Sequence, residues 1–315
     1  MIDNGRRPEA SALRRLFHEQ WTHFLQLVEE WDKRQQTDRQ KSAEILKAIE
    51  TVVTETDARI RSVGSYKKRL RDGVRLVLDY VEALADDLPA AIAVNQHTFA
   101  SDPLVNSFFV NKTDVQQIFS RCQKLHAFFG STEHRQLHEV YALLFVQKRE
   151  KTIFGKKLQG DMLLSDVMQT SVSFSDHQIL FPGATEELVR KSLEALLFDS
   201  ILEYIKTHMT RLRYQQSQDE QQQKNLNLDK SLKNPEVYLQ TLIEHLNEPM
   251  ELLQLQESML KTSKMHILLS EENTETANEL HLNAVKVGDL PSRIIALVRY
   301  PKSEMLPVNT MFDKI

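Results

Sequence analysis

The sequence predicts a predominantly helical α+β protein, in which an elongated N-terminal helical region precedes a region with a small antiparallel sheet and long helices. Only 8 of the 315 residues are glycine and 9 are proline, so few residues interrupt helices. Apolar residues near the N-terminus repeat with heptad spacing, and strand-like segments occur only after residue 150. We therefore predict a helical region over residues 1–150, an α+β region over residues 151–301 and a tail over residues 302–315.

The composition limits the class of protein. A single cysteine excludes an internal disulfide framework and a four-cysteine zinc site. The polar N-terminus lacks the apolar stretch of a secretory signal, and no apolar run approaches the ~20 residues of a membrane span. Forty basic and 44 acidic residues nearly balance, which argues against a polyanion-binding surface. We expect a cytoplasmic protein that binds neither a membrane nor nucleic acid, and no motif indicates a cofactor.

The first helix is predicted over residues 9–61, which contain neither glycine nor proline. Its apolar residues lie alternately four and three positions apart, as in the core of a coiled coil: Phe17, Trp21, Phe24, Val28 and Trp31. Polar residues interrupt this heptad repeat before Ile45, Ile49 and Val52 resume it, and the continuity of the helix stays open. Because a thin helix has little to cover two tryptophans, Trp21, Phe24 and Trp31 are the predicted partner-binding residues.

A second helix follows Gly64 and repeats the spacing at Leu70, Val74, Val77, Val81, Leu84 and Leu88. We predict that the two helices form an antiparallel hairpin that reverses at Gly64. The alternative keeps this glycine inside one longer helix, since an isolated glycine costs only ~1 kcal/mol there. Asp102 and Pro103 are then the predicted N-cap and first residue of a short helix.

The remaining elements alternate between helical and strand-like patterns. Helices are predicted from the apolar spacing of residues 113–129 and 137–145, from about residue 185, and after Asn234 and Glu248, each of which precedes a proline. The glutamine-rich tract 215–224 is either a helical extension or a flexible link. Strands are predicted at residues 152–158, 171–174, 178–181, 265–269, 280–287 and 293–300, and one antiparallel sheet would pair their edges.

Cys122, His126, His134 and His138 form two pairs spaced four residues apart on either side of Gly130. If two helices folded back at this glycine, the four side chains could surround a tetrahedral metal ion. The preferred interpretation places Cys122 on an apolar helix face and His134 and His138 among exposed charges, so no metal site is assigned.

Two other clusters were weighed as sites. Asp161, Asp166, Asp176 and His177 lie in or near the strand region, where a carboxylate and an imidazole could perform acid–base chemistry. Turns commonly collect aspartate and histidine for local hydrogen bonds, however, so no catalytic residue is assigned. Seven basic residues from Arg59 to Arg75 surround the predicted hairpin reversal, where a solvated helix face is the preferred interpretation.

The sequence therefore favours a non-enzymatic interaction, scaffold or adaptor protein that presents helical surface to a protein partner or to a second copy of itself. The alternative is a regulatory module in which the small sheet senses a ligand or a metal. A hydrolase that uses Asp161, Asp176 and His177 is less favoured.

Overall fold

The computed structural model of the chain describes residues 41–159, 162–222, 232–263, 265–269 and 277–307. Of these residues, 51% are helical and 30% lie in strands. The prediction of a predominantly helical protein with a small sheet is therefore wrong, because a large curled antiparallel sheet forms the centre of the fold.

The described chain begins with two antiparallel helices, α1 over residues 41–55 and α2 over Tyr66–Asp87, separated by the 3₁₀ helix Ala58–Ser62. Tyr66 donates a hydrogen bond of 2.9 Å to Glu50, which ties the start of α2 to α1. Because α1 ends at residue 55, the predicted helix does not continue to residue 61. Trp21, Phe24 and Trp31 lie outside the described residues.

Seven further α-helices follow within the described ranges. Four are short and precede the long strands: α3 (Gln96–Ser101), α4 (Pro103–Phe108), α5 (Lys112–Arg121) and α6 (Gln123–Gly130). The other three are α7 (Glu186–Gln222), α8 (Pro235–Leu246) and α9 (Pro249–Leu252). The side chain of Asp102 accepts from two backbone N–H groups of α4, which confirms the predicted cap.

The sheet contains one short and five long strands. They are β1 (Ile92–Ala93), β2 (Glu139–Gln159), β3 (Met162–Gly183), β4 (Leu253–Thr262), β5 (Asn278–Val287) and β6 (Arg293–Pro301). The long strands follow the order β3-β2-β6-β5-β4 with antiparallel pairing throughout. The short strand β1 pairs in parallel with β6, next to the end of β5. Residue 150, the predicted boundary between two regions, lies within β2.

The sheet curls until its two outer strands are joined. Ile267 bridges to Ser171 of β3, and Leu268 bridges to Thr262 of β4, both in antiparallel orientation. The backbone N–H of Leu268 donates to Thr170, and that of Val172 donates to His266, both at 2.8 Å. These hydrogen bonds cover part of the exposed edge of β3.

Both faces of the central part of the sheet are buried. The inner face packs on the short helices, because α4 contacts both β3 and β5, which lie on opposite sides of the two central strands. The outer face packs on α1, α2, α7 and α8. Along β2, Val140, Ala142 and Leu144 belong to the inner core, whereas Leu143 and Phe145 belong to the outer core.

This burial on two faces explains why a helix was predicted where β2 begins. Residues 137–145 were predicted to be helical, but β2 starts at Glu139. A strand covered on both sides is apolar at consecutive positions, so its residues also satisfy the i, i+3, i+4 spacing of a helix.

Candidate functional site

A groove of about 720 Å³ lies between α1, α2 and α7. Helix α1 contributes residues from Lys41 to Thr51, α2 contributes residues from Arg71 to Glu82, and α7 contributes residues from Lys191 to Asp199. The groove therefore extends along about three turns of α1, or ~15 Å. We call it the α1/α2/α7 groove.

The floor of the groove is apolar. Val81 and Phe198 are 1% and 7% exposed, and Ile45 and Leu78 are half-buried. Small side chains also line it, namely Ser42, Ala48, Thr51 and Ala195. Because these residues are small, the space between the three helices is not filled by the described chain, and a large apolar side chain could reach the floor.

Charged side chains form the rims. Lys191 lies 3.5 Å from Glu82 and 2.9 Å from Glu194, and Arg75 lies 3.6 Å from Asp79. Five basic and five acidic residues line the groove, so its charges balance, in contrast to a site built for a strongly charged ligand. Burial, together with repulsion from Glu55, raises the pKa of Asp199 on the α7 wall.

Ion pairs tie α7 to the end of α1 and to the residues that follow it, beyond the Thr51 end of the groove. Lys206 of α7 lies 3.8 Å from Glu55 at the end of α1. Arg213 of α7 lies 2.8 Å from Asp57, which also pairs with Arg59 at 2.6 Å. The walls are thus fixed at one end, whereas Lys41, the first described residue, lies at the other end of the groove.

The four candidate metal ligands do not converge. Cys122 has its sulfur 3.7 Å from the carbonyl oxygen of Ile179, and His126 donates to the carbonyl oxygen of Ser120 at 2.6 Å. The ring of His134 stacks on Phe128, while His138 is exposed at the start of β2. The second helix of the hypothesis does not exist, since residues 131–138 form a turn. Among the residues that the structure describes, no cluster of three or more His, Cys, Asp or Glu could hold a metal ion.

The side chains considered for hydrolysis have separate partners. Asp176 pairs with Arg293, whereas His177 donates to the carbonyl oxygen of Phe108 at 2.6 Å and stacks on Phe109. Asp166 is exposed on β3 with a left-handed backbone, and Asp161 lies outside the described residues. The imidazole is thus held by the inner core.

The basic residues near the start of α2 form a surface of local pairs. Six of the seven have a partner: Arg59 (Asp57), Arg61 and Lys67 (Glu50), Arg69 (Glu236), Arg71 (Ser42) and Arg75 (Asp79). Five of the six pair with carboxylates and the sixth with the Ser42 hydroxyl, so most of the positive charge near the start of α2 is paired locally.

A smaller cavity of about 140 Å³ lies beside β6, between the residues of β6 that pair with β5 and those that pair with β1. Apolar residues such as Leu104, Phe108 and Leu297 line most of it. Glu257 and His281 lie at its polar side, 3.8 Å apart and exposed.

Comparisons with known proteins found no match. No protein-family model, curated protein or solved structure matches the chain. No helix in the described ranges is both long and apolar enough to span a membrane. The geometry of the groove and the sequence are therefore the basis of the functional argument.

The sequence revealed only part of this groove. Ile45 of α1 and Val81 of α2 were singled out as apolar repeat positions, and both line it. Ala195 and Phe198 of α7 were missed as site residues, because they lie more than a hundred positions further along the chain. The signal for them exists only in the packing of three helices that the sequence does not place together.

Proposed function

We propose that the protein is a cytoplasmic interaction or adaptor protein that binds an amphipathic helix of a protein partner in the α1/α2/α7 groove. The observation that carries this proposal is an apolar floor, bordered by charged residues, that three helices leave uncovered along ~15 Å. An amphipathic helix places apolar side chains every three to four residues, and a groove between helices receives such a stripe.

The groove has the composition expected of a protein interface. Its centre is apolar, and its rim consists of charged residues that stay in contact with solvent. A helix in the groove would extend the existing arrangement of α1, α2 and α7 by a fourth helix. The partner is either another protein or a second copy of the chain.

Photo-crosslinking tests this proposal. Lys47 lines the groove and is exposed, whereas Lys68 is exposed on α2 outside the groove. Replacing each in turn with p-benzoylphenylalanine and irradiating cells that express the protein should yield a discrete adduct only from position 47. The mass of the adduct distinguishes a different partner from a second copy. Identical adduct patterns from the two positions would contradict the proposal.

The second candidate function is a ligand-responsive module, and the cavity between β5 and β1 is the observation that favours it. The cavity has space for a small molecule of a few non-hydrogen atoms, with Glu257 and His281 as polar groups. A thermal-shift screen of small carboxylic acids and amines against the full chain tests it, with His281→Ala as the comparison variant. A ligand that raises the melting temperature of wild type, and that of the variant less, would support this candidate.

A further inference from the structure

We propose that β2, where it extends beyond the centre of the sheet, binds an extended acidic segment of a partner protein as an additional antiparallel strand. The residues concerned are 148–154, which we call the β2 edge. None of them lines the α1/α2/α7 groove, so this inference does not depend on the proposed function.

The β2 edge lies where β2 has a neighbouring strand on one side only. β2 pairs with β6 as far as Val146, whereas its pairing with β3 continues to Gln159. The opposite edge of β3 is partly covered, because it exchanges backbone hydrogen bonds with residues 266–268. No strand among the described residues covers the β2 edge in this way. Its backbone groups are therefore available to another strand.

The register shows which backbone groups point outward. Lys302 donates to the carbonyl oxygen of His138 at 2.8 Å, and these residues continue the register in which Glu139 lies opposite Pro301. Because hydrogen-bonded and non-bonded pairs alternate along antiparallel strands, the even-numbered residues of β2 direct their N–H and C=O groups toward β6. The register shifts between β2 and β3 add residues to β3 only, so this alternation continues beyond Val146. The residues that present outward groups on the β2 edge are Lys148, Glu150, Thr152 and Phe154.

Charge identifies the kind of strand that fits. Residues 148–157 contain five basic residues and one acidic residue, in a chain whose net charge is −4. The acidic residue, Glu150, pairs with Lys148 at 2.9 Å. On the other face of the strand, Arg149 donates to the hydroxyl of Ser175 at 2.7 Å, and Lys151 is exposed without an ion pair in the described ranges. Two carboxylates spaced two residues apart on an added strand would lie beside Arg149 and Lys151.

The face opposite Arg149 and Lys151 carries an exposed apolar pair. Phe154 and Met168 lie opposite each other in the β2–β3 register, and they are 70% and 68% exposed. Apolar side chains that alternate with the carboxylates of the added strand would fall on this face and cover Phe154. The surface therefore fits a strand in which acidic and apolar residues alternate, bound through its main chain.

A second copy of the chain fits this edge poorly. Since outward-facing residues must meet each other, two β2 edges can pair antiparallel only about a residue. Pairing about Lys151 would place this lysine opposite itself, and pairing about Thr152 would place Lys148 opposite Lys156. Like charges directly opposite each other destabilise a pair of strands, and lysines commonly protect exposed edges from self-pairing. An acidic strand meets opposite charge instead.

Fluorescence polarisation with the full chain tests the contribution of charge. The probe is a fluorescein-labelled peptide in which valine and glutamate alternate. Replacing Arg149 and Lys151 together by glutamate should weaken its binding about tenfold or more. Lys68→Glu, at an exposed lysine of α2, should leave the affinity unchanged. Circular dichroism melting curves establish that both variants fold.

N-methylation of the peptide tests the strand pairing without any change to the protein. Glutamates opposite Arg149 and Lys151 would direct their N–H groups away from β2, whereas the valines would donate to it. Methylating the valine nitrogens should therefore weaken binding about tenfold or more, and methylating the glutamate nitrogens should change it less than about threefold.

Three outcomes would overturn the proposal. The first is no binding of the unmethylated probe at about 1 mM protein. The second is an equal effect of the two methylations, because strand pairing would then not determine the affinity. The third is binding of the chain to phosphatidylserine vesicles but not to the peptide, which would assign the basic residues and Phe154 to a membrane surface. The photo-crosslink from position 47 reports on the groove and is independent of these results.

Discussion

At the scale of single residues, Asp57 joins three parts of the chain. It accepts from Arg59 of the 3₁₀ helix and from Arg213 of α7, and these two arginines also donate to the carbonyl oxygens of Lys233 and Leu232 just before α8. Burial alone would raise the pKa of Asp57, but the hydrogen bonds from the arginines outweigh it and hold the pKa at about 2. The carboxylate is 9% exposed, so solvent screens these contacts little.

Asp57→Asn should therefore lower the free energy of unfolding by about 1–2 kcal/mol at pH 7. A carboxyl with a lowered pKa stabilises the fold above its unfolded value, 3.8, and this stabilisation is lost as the pH falls toward 2. The difference in urea unfolding between wild type and variant should begin to shrink below about pH 4 and should close as the pH approaches 2. Asp72→Asn, at an exposed position of α2, is the control and should change little. A difference that persists undiminished at pH 3 would contradict this role.

His245 is expected to lower the stability of the fold in mildly acidic solution. Its Nε2 is buried without a hydrogen-bond partner among the described residues, and its ring centre lies 5.1 Å from that of His208. Burial, with a smaller contribution from the charge of His208, lowers the pKa of His245. The unfolded chain therefore binds a proton that the fold resists, so stability decreases as the pH falls below about 6.5.

We expect His245→Phe to flatten the decrease of the melting temperature between pH 7 and pH 5. The exposed His97 provides the matched substitution, and His97→Phe should retain the wild-type slope. Burial also lowers the pKa of His266, so part of the decrease in melting temperature should remain in both variants. Equal slopes in all three proteins would show that His245 titrates in the fold as it does in the unfolded chain.

At the scale of elements, the turn between β5 and β6 depends on one glycine. Gly288 has a left-handed backbone with φ of 48°, and a Cβ there would overlap the ring of Tyr204 on α7. Gly288→Ala should lower the free energy of unfolding by about 1–3 kcal/mol, because alanine is strained in the left-handed conformation and its Cβ would displace the Tyr204 ring. The added cost should be smaller in a Tyr204→Ala background. Gly64→Ala, where no atom lies within 4 Å of the new Cβ, should be nearly neutral.

The elements that were predicted correctly are marked by short sequence patterns, such as a capping residue before a proline. The starts of α4 and α8 were predicted from a capping residue followed by proline, and the strands predicted at residues 280–287 and 293–300 correspond closely to β5 and β6. In contrast, the first half of β2 was not predicted as a strand. It is apolar on both faces because helices cover both sides of the sheet there, and this arrangement exists only in the tertiary fold. The size of the sheet was underestimated, because β2 and β3 extend well beyond the short strands predicted at residues 152–158, 171–174 and 178–181, and no strand was predicted at β4.

At the scale of the whole molecule, the curled sheet separates two cores with different surroundings. The short helices fill its inner side, whereas α1, α2, α7 and α8 cover its outer side. The α1/α2/α7 groove belongs to the outer layer, so a helix can bind there without opening the sheet. The sequence predicted that helical surface is presented to a partner, but the groove itself arises from the packing of α7 beside α1 and α2, which no local pattern in the sequence indicates.

Thiol labelling tests most directly whether a helix binds in the α1/α2/α7 groove. In a Cys122→Ser background, a cysteine introduced by Ala195→Cys should react with iodoacetamide in cells about tenfold more slowly than one introduced by Ala83→Cys, although both alanines are exposed in the described chain. In the purified, diluted protein, where no partner fills the groove, the two positions should react at similar rates. Equally rapid labelling at both positions in cells would contradict the proposed binding of a helix in the groove.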